Sequence, residues 1–412
     1  MAKLGAEMVA EGSDSLAQEI ICFASNAFYG RGGQGEFLRQ MVFALDCLPQ
    51  AKVYSRFAKA EKTECITVPF EDFPHRTLFN LVLKTPVLRR RKDWLMLLSD
   101  LEFDRSVADG VGDVSLFDGV MAQCCDTFIE MERRRTPLVL TCQNTHIENL
   151  LETLETESYL TGQGAGNFIH PRMRQRALLE IQLADRIRVS SRWSKKTFVE
   201  RGVAPEKISV IRLAVDQKQF YPTEKKDGVF RVMAVSSINL RKGIHYLLQA
   251  FEDARIPNSE LVLIGGTEDR WSHLMLNGFL RRNNNIRNYS LDMMTTPVRD
   301  TYGSASVLVH PSLEDGYGLV VPEALASGRP VIATRQTGAA ELIEHGKNGF
   351  VVENRAVKEL KEYLQLLASD PKLLENLSQA ATASVTHLTY ADFALEVRAF
   401  YQDVLKKGNG SH

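Results

Sequence analysis

Apolar residues along this chain come in short continuous runs, separated by stretches in which they recur every three or four positions. IICFAS (20–25) is such a run and predicts a buried strand. A glycine-rich loop follows it, then EFLRQMVFAL at helical spacing. LVLTCQ (138–143) and RIRVSS (186–191) predict two further strands, with a helix over 173–185 between them. KKTFVERG predicts a helix closed by Gly202. KISVIRLAVD then runs into KQFYPTEKKDG, a polar stretch with the composition of a linker. Beyond it the alternation restarts: RVMAVSS (231–237), ELVLIGG, SVLVHPS and PVIATR predict strands, while HYLLQAFEDA and EALASG predict helices.

Strands alternating with helices imply parallel sheets built from right-handed crossovers. The fold class expected is therefore α/β, with two Rossmann-like domains facing each other across a cleft. The expected boundaries are a first domain over 1–215, a linker over 216–229, a second domain over 230–388, and a C-terminal helix and tail over 389–412. In that helix Phe393, Val397, Phe400, Tyr401, Val404 and Leu405 share one face, and Thr389 stands at the N-cap. The plain expectation is a surface helix packed on the second domain.

Composition narrows the class. Hydrophobic residues at 44% and charged residues at 25% give the balance of a soluble globular protein. A formal charge of -1 offers no bulk attraction to nucleic acid. Cys22, Cys47, Cys65, Cys124, Cys125 and Cys142 form no C-x-x-C pair, which suits a reducing cytoplasm better than a disulfide framework. The first residues lack an apolar signal-peptide core, and no window approaches a membrane span, so the expectation is a cytoplasmic chain without leader or anchor.

The most informative stretch runs from His310 to Val352, HPSLEDGYGLVVPEALASGRPVIATRQTGAAELIEHGKNGFVV. A strand delivers a loop, and Gly316-Tyr317-Gly318 opens a helix near Leu319. Glycines let backbone approach a ligand, and a helix start offers unpaired N–H groups, so a diphosphate is the natural guest. Asp315 at the loop and Glu323 one turn into the helix can both accept hydrogen bonds from sugar hydroxyls.

This stretch resembles the E-G-F-G-L-x-x-x-E-A-x-A-x-G-x-P-V motif of retaining GT-B glycosyltransferases of the family 4 type. Asp315 to Leu319 fall on E-G-F-G-L, Glu323-Ala324 on E-A, and Gly328, Pro330 and Val331 on G-x-P-V. Gly338, Glu341 and Gly349 match the family's downstream pattern. The resemblance implies that Glu323 holds the ribose hydroxyls of a nucleotide and that Asp315 contacts the transferred sugar. It also implies that the backbone N–H groups of Tyr317, Gly318 and Leu319 meet sugar and phosphate. Where the family has Glu, this chain has the shorter Asp315, which leaves room for Glu314 to contribute. GT-B proteins return their last helix to the N-terminal domain, and the 389–412 stripe is compatible with that course as well.

VSSINLRKGIHYLLQAF (235–251) is similar to a second family element, G-R-x-x-x-x-K-G before a helix. Lys242-Gly243 match K-G, Ser236 and Ser237 replace the usual Arg, and Arg241 is the candidate to compensate. A fixed cation there stabilises a departing diphosphate. In the N-terminal half, the loop Tyr29 to Gly35 taken alone suggests a dinucleotide fingerprint. The acidic residue expected about 20 positions later is absent, and Arg56 nearby suits a 2′-phosphate. Under the resemblance, Gly32 and Gly33 face donor phosphate and acceptor instead. Many members end the 138–143 strand with a His against the donor sugar; here Gln143 takes that place, with His146 as the alternative three residues on. Residues 76–98 mix a basic cluster with Leu, Val, Phe and Trp94. They read first as a core-packing helix with a charged turn, and second as a peripheral contact with the inner face of a membrane.

The function implied is transfer of a hexosyl unit from a nucleoside-diphosphate sugar, UDP- or GDP-linked, to an acceptor hydroxyl with retention of configuration. The acceptor is a carbohydrate, a lipid-linked compound or a small molecule, within polysaccharide, glycolipid or other glycoconjugate synthesis. No D-x-D or His/Cys spacing for a metal occurs, so no cofactor or metal is expected. The rivals are a sugar-nucleotide epimerase on the same fold and a silent sugar-nucleotide-binding protein.

Overall fold

A computed structural model describes residues 16–30, 32–46, 48, 50–57, 92–163, 169–225, 227–289 and 298–408. The N-terminal half contains strands β1 (Ile21–Phe28), β2 (Lys52–Phe57), β3 (Leu116–Val120), β4 (Leu138–Cys142), β5 (Arg186–Val189) and β6 (Ile208–Val210). Its helices are α1 (Gly32–Leu45), α2 (Lys92–Gly110), α3 (Cys125–Arg133), α4 (Ile147–Leu160), α5 (Pro171–Leu183) and α6 (Arg192–Val199). The C-terminal half contains β7 (Phe230–Val235), β8 (Ser259–Ile264), β9 (Ile286–Tyr289), β10 (Val307–His310), β11 (Val331–Thr334) and β12 (Gly349–Val352). Around them lie α7 (Ile244–Ala254), α8 (Arg270–Arg282), α9 (Val298–Gly303), α10 (Val320–Ala326), α11 (Val357–Ser369), α12 (Pro371–Ala383) and α13 (Tyr390–Gly408).

Both sheets are parallel. The first has the order β2-β1-β3-β4-β5-β6 and the second β12-β11-β10-β7-β8-β9. Strand order reverses between β1 and β3 in the first sheet and between β7 and β10 in the second. At such a reversal the loops leave the strand ends in opposite directions, opening a crevice beyond the C-terminal ends. Strands covered on both faces become the continuous apolar runs read in the sequence: β4 and β10 are buried at every position.

The domains share apolar core. One buried cluster joins Phe37 and Met41 of α1, Leu213 and Phe220 of the connection, Tyr317, Leu325 of α10, and Phe393 and Val404 of α13. The last helix therefore corrects the plain expectation of a helix on the second domain. Its stripe turns to the first domain, where Arg398 donates to the Ala44 carbonyl at 2.9 Å and Asp403 pairs with Arg186 at 2.6 Å. Tyr401 donates to the buried carboxylate of Asp118 at 2.6 Å. Asp118 also pairs with Arg188 at 3.0 Å, and these partners offset the cost of burying a charge within β3.

No helix among the described residues is long and apolar enough to cross a membrane. Of the 76–98 segment, 76–91 lie outside the described residues. The remainder opens α2, with Leu97 buried, Trp94, Met96 and Leu98 exposed, and the Trp94 ring 4.3 Å from that of His170.

Candidate functional site

The crevice between β7 and β10 is where the second domain gathers its charged side chains. After β7 the chain makes a short 3₁₀ turn, Leu240–Lys242, capped by Asn239, whose Oδ1 accepts from the Lys242 N–H at 3.1 Å. Gly243 then adopts φ +60°, and a Cβ there would stand 2.1 Å from the Pro311 carbonyl oxygen. Only glycine fits such an approach in the left-handed region. The turn is thereby docked onto the loop after β10, and Leu313 N–H donates to the Arg241 carbonyl at 2.8 Å.

This docking brings Lys242 to Asp315, which accepts from its Nζ through Oδ2. The same Oδ2 lies 3.0 Å from Nε2 of His310, at the end of β10. Arg241 donates from Nη1 to Glu314 at 3.1 Å and to Asn144 of the first domain at 3.4 Å. Burial alone would raise Asp315; Lys242, His310 and Arg241 outweigh it and hold the carboxyl well below its ordinary value. Burial, then the adjacent Arg241, lower Lys242. Burial also lowers His310, which is thus a neutral imidazole.

Glu323 sits in a different environment. Tyr302 donates to its Oε2 at 2.5 Å, and burial pushes the carboxyl up to about 7. The nearby Glu36 of α1 adds to that rise and Arg39 opposes it.

Direct ties hold the two domains together around this cluster. Glu314 Oε1 accepts from the N–H and hydroxyl of Thr145, at 3.0 and 2.7 Å. The Gly316 carbonyl accepts from Ser191 Oγ at 2.7 Å, and a Cβ on Gly316 would lie 2.0 Å from the Gln143 carbonyl oxygen. Glu341, in the stretch after β11, accepts from Arg212 at 2.7 Å and from the Arg192 N–H at 3.1 Å. Further along, buried Glu157 of α4 accepts from Tyr246 at 2.7 Å and Arg355 at 2.8 Å, with His245 Nε2 at 2.8 Å.

Comparison with known proteins accords with this fold. Residues 215–384 match the family model described as Glycosyl transferases group 1. The match takes in most of the second domain. Among curated relatives, the MMP alpha-(1->4)-mannosyltransferase of Mycolicibacterium hassiacum is 27% identical over 236 residues, 55% of this chain and 56% of that protein. The D-inositol 3-phosphate glycosyltransferase of Corynebacterium kroppenstedtii is 26% identical over 295 residues, 64% of this chain and 62% of that protein. The chain thus spans only 56% and 62% of the length of these two relatives. Among solved structures, sucrose-phosphate synthase from Thermosynechococcus elongatus superposes with a TM-score of 0.69 at 20% identity, over 95% of this chain and 100% of that one. Anabaena Alr3699/HepE in complex with UDP-glucose superposes at 0.66 and 19%, over 93% and 99%. The fold is accordingly GT-B.

Within the matched stretch, Lys242, Arg241, Glu314, Asp315 and Gly316 form one contiguous cluster. The Gly318 and Leu319 N–H groups have no partner among the described residues, while that of Tyr317 lies 3.4 Å from Asp315 Oδ1. The Tyr317 hydroxyl turns away and donates to the Leu213 carbonyl at 3.0 Å. Ser237 accepts from Asn239 at 3.2 Å, close beside the turn that carries Lys242. Gln143 reaches the cluster through its backbone, and its buried Nε2 has no partner among the described residues.

Three expected residues stand apart. His146 caps α4, its Nδ1 accepting from the Glu148 N–H at 3.2 Å, and its ring packs on Phe198. Burial lowers it to about 4, so its chemistry is spent on structure. Gly32 and Gly33 are exposed at the start of α1, with open space where a Cβ would be. Asn288, in β9, donates to the Leu263 and Gly265 carbonyls at 3.2 and 2.9 Å, and 290–297 lie outside the described residues. Sequence reasoning passed over His310. Its signal was present, since it ends a fully buried strand five positions before Asp315, but polarity at a strand end has many causes.

Proposed function

We propose that this chain transfers a hexosyl unit from a nucleoside-diphosphate sugar to an acceptor hydroxyl, with retention of anomeric configuration. The observation that carries the reading is the meeting of Lys242, Arg241 and Asp315 at the β7/β10 crevice, within the stretch that matches Glycosyl transferases group 1. That a structural neighbour is a complex with UDP-glucose supports a nucleotide-sugar donor.

In this reading the diphosphate lies by Lys242 and Arg241. The bonds Arg241 makes leave from Nη1, so Nε and Nη2 remain for phosphate oxygens. An ammonium has three N–H donors, and Asp315 takes one of those on Lys242. As the bond from the anomeric carbon to the phosphate oxygen breaks, these cations stabilise the charge gathering on the leaving group without a metal being required. The acceptor oxygen attacks from the same face and gives up its proton to the departing phosphate. The Gly318 and Leu319 N–H groups and Asp315 hold the sugar, and Glu323 holds the ribose hydroxyls. Shared interdomain contacts exclude water and limit hydrolysis of the donor.

The test is a thermal-shift screen with UDP-, GDP-, ADP- and TDP-sugars, then a released-nucleotide assay on each hit. A ligand that binds only the folded state raises Tm by mass action. A shift with one nucleotide class, lost in Lys242→Ala and Glu323→Ala, is the expected result. If no sugar nucleotide shifts the protein, the donor site has been misread.

A further inference from the structure

Asp315 is one methylene shorter than the Glu of the pattern it resembles, and its surroundings bear on that difference. Its backbone is pinned on both sides: its N–H donates to the Gln336 carbonyl and its carbonyl accepts from the Gly338 N–H, each at 3.0 Å. The main chain is therefore not free to retreat for a longer side chain. Ahead of the carboxylate stands the His310 imidazole, buried at the end of β10. Gly318, at φ +87°, wraps over that ring, and a Cβ on it would meet His310 Nε2 at 3.2 Å and Thr337 Cγ2 at 2.9 Å. The ring thus stands in contact with the Asp315 carboxylate and close under Gly318.

The two carboxylate oxygens have different duties. Oδ2 is occupied by both Lys242 Nζ and His310 Nε2. Among the described residues Oδ1 has only the long 3.4 Å approach of the Tyr317 N–H, which leaves it as an acceptor for a ligand hydroxyl. A neutral imidazole facing a carboxylate through Nε2 must carry its proton there.

Building on the donor-site reading above, we infer that His310 is a positioning residue: as the Nε2–H tautomer it clamps Oδ2 of Asp315 and turns Oδ1 toward the sugar of the donor. His310 and Asp315 form a matched pair, in which the ring supplies the bulk that the shorter acid lacks. Restoring Glu at 315 overfills the site instead of improving it. Removing the ring leaves Oδ2 of Asp315 with Lys242 as its remaining partner among the described residues, and the carboxylate able to swing.

The test uses the full-length protein and the sugar nucleotide that the wild type binds, with Tm recorded for every variant. His310→Ala is expected to raise the donor KM about tenfold to a hundredfold, the range for a hydrogen bond to a charged group, and to shift the acid limb of kcat/KM toward higher pH. His310→Gln, which keeps an amide donor at nearly the reach of Nε2, stays within about threefold of wild type. Asp315→Glu loses activity by a similar factor to His310→Ala, and the double variant Asp315→Glu/His310→Ala recovers part of it. Independent losses that simply multiply in the double variant, or a His310→Ala enzyme with wild-type KM and pH profile, overturn the inference while leaving the donor site standing. A wild type that binds no sugar nucleotide overturns the donor reading instead. The clamp itself is then checked by ¹⁵N spectra of the ligand-free protein, in which the Nδ1–H tautomer at His310 sinks it and the Nε2–H tautomer supports it.

Discussion

Two glycine loops follow strand ends at the reversal points of the two sheets, and they are in opposite mechanical states. Around Gly316 the backbone is buried against Gln143 and Asn144 of the first domain, leaving no volume for a Cβ. Around Gly33 nothing among the described residues lies within 4 Å of where a Cβ would stand. In one, glycine serves the approach of two protein backbones. In the other it leaves a helix start open to something that is not part of the chain. The same residue type therefore answers to packing in the second domain and to access in the first.

The comparison can be broken most forcefully through the ion cluster that braces the tight loop. Lys242→Ala removes the cation from Asp315 Oδ2 and from the proposed diphosphate, and should lower kcat for nucleotide release about 10²- to 10³-fold, the scale of losing one charge-stabilising donor. An activity within threefold of wild type would show that the cluster braces the loop without serving the reaction. Gly316→Ala comes next. Its Cβ would overlap the Gln143 carbonyl, and chemical denaturation should report a loss of about 2 kcal/mol, typical of overpacking. An unchanged midpoint would mean that the domains yield at this contact.

Glu323 gives a smaller effect with a defined sign. Its folded value, about 7, lies above the ordinary 4.5, so the folded protein holds the proton more tightly than the unfolded chain. Stability is therefore lost as pH rises from the unfolded value through about 7. Glu323→Gln removes that loss, so its Tm should exceed that of wild type at pH 8.5 and converge with it at pH 5. Parallel Tm curves across that range would refute the assigned cause. The smallest effect belongs to Gly33→Ala, expected to change stability by no more than about 0.5 kcal/mol because the site is open and the backbone helical. Donor titration of this variant then reports whether a ligand uses the open space.

Much of the fold was legible because strands buried on both faces leave continuous apolar runs, as in LVLTC and VLVH. β3 escaped notice because its sequence, LFDGV, carries a charge and a glycine in the middle. Both have tertiary reasons. Asp118 is partnered by Arg188, Thr141 and Tyr401, the last from a helix 283 positions away. A Cβ on Gly119 would meet Phe128 at 2.7 Å. Neither partner is visible from the run itself. β2, β9 and β12 were missed as well, being short, partly polar or followed by little punctuation.

The sequence by itself determined the alternation of strand and helix, the glycines at 243, 316 and 318, and the charged residues gathered near 242 and 315. These follow from local rules of periodicity, backbone freedom and charge, which act over a few residues. The tertiary structure alone decided that the last helix lies on the first domain, since an apolar stripe names no partner. It decided that His146 is a cap while His310 is a neighbour of Asp315, because roles of that kind depend on which groups the strand order brings together. It also decided that the Asp315 carboxyl is held below its ordinary value while that of Glu323 is raised, since neighbouring cations outweigh burial at the first and burial outweighs the Tyr302 hydrogen bond at the second.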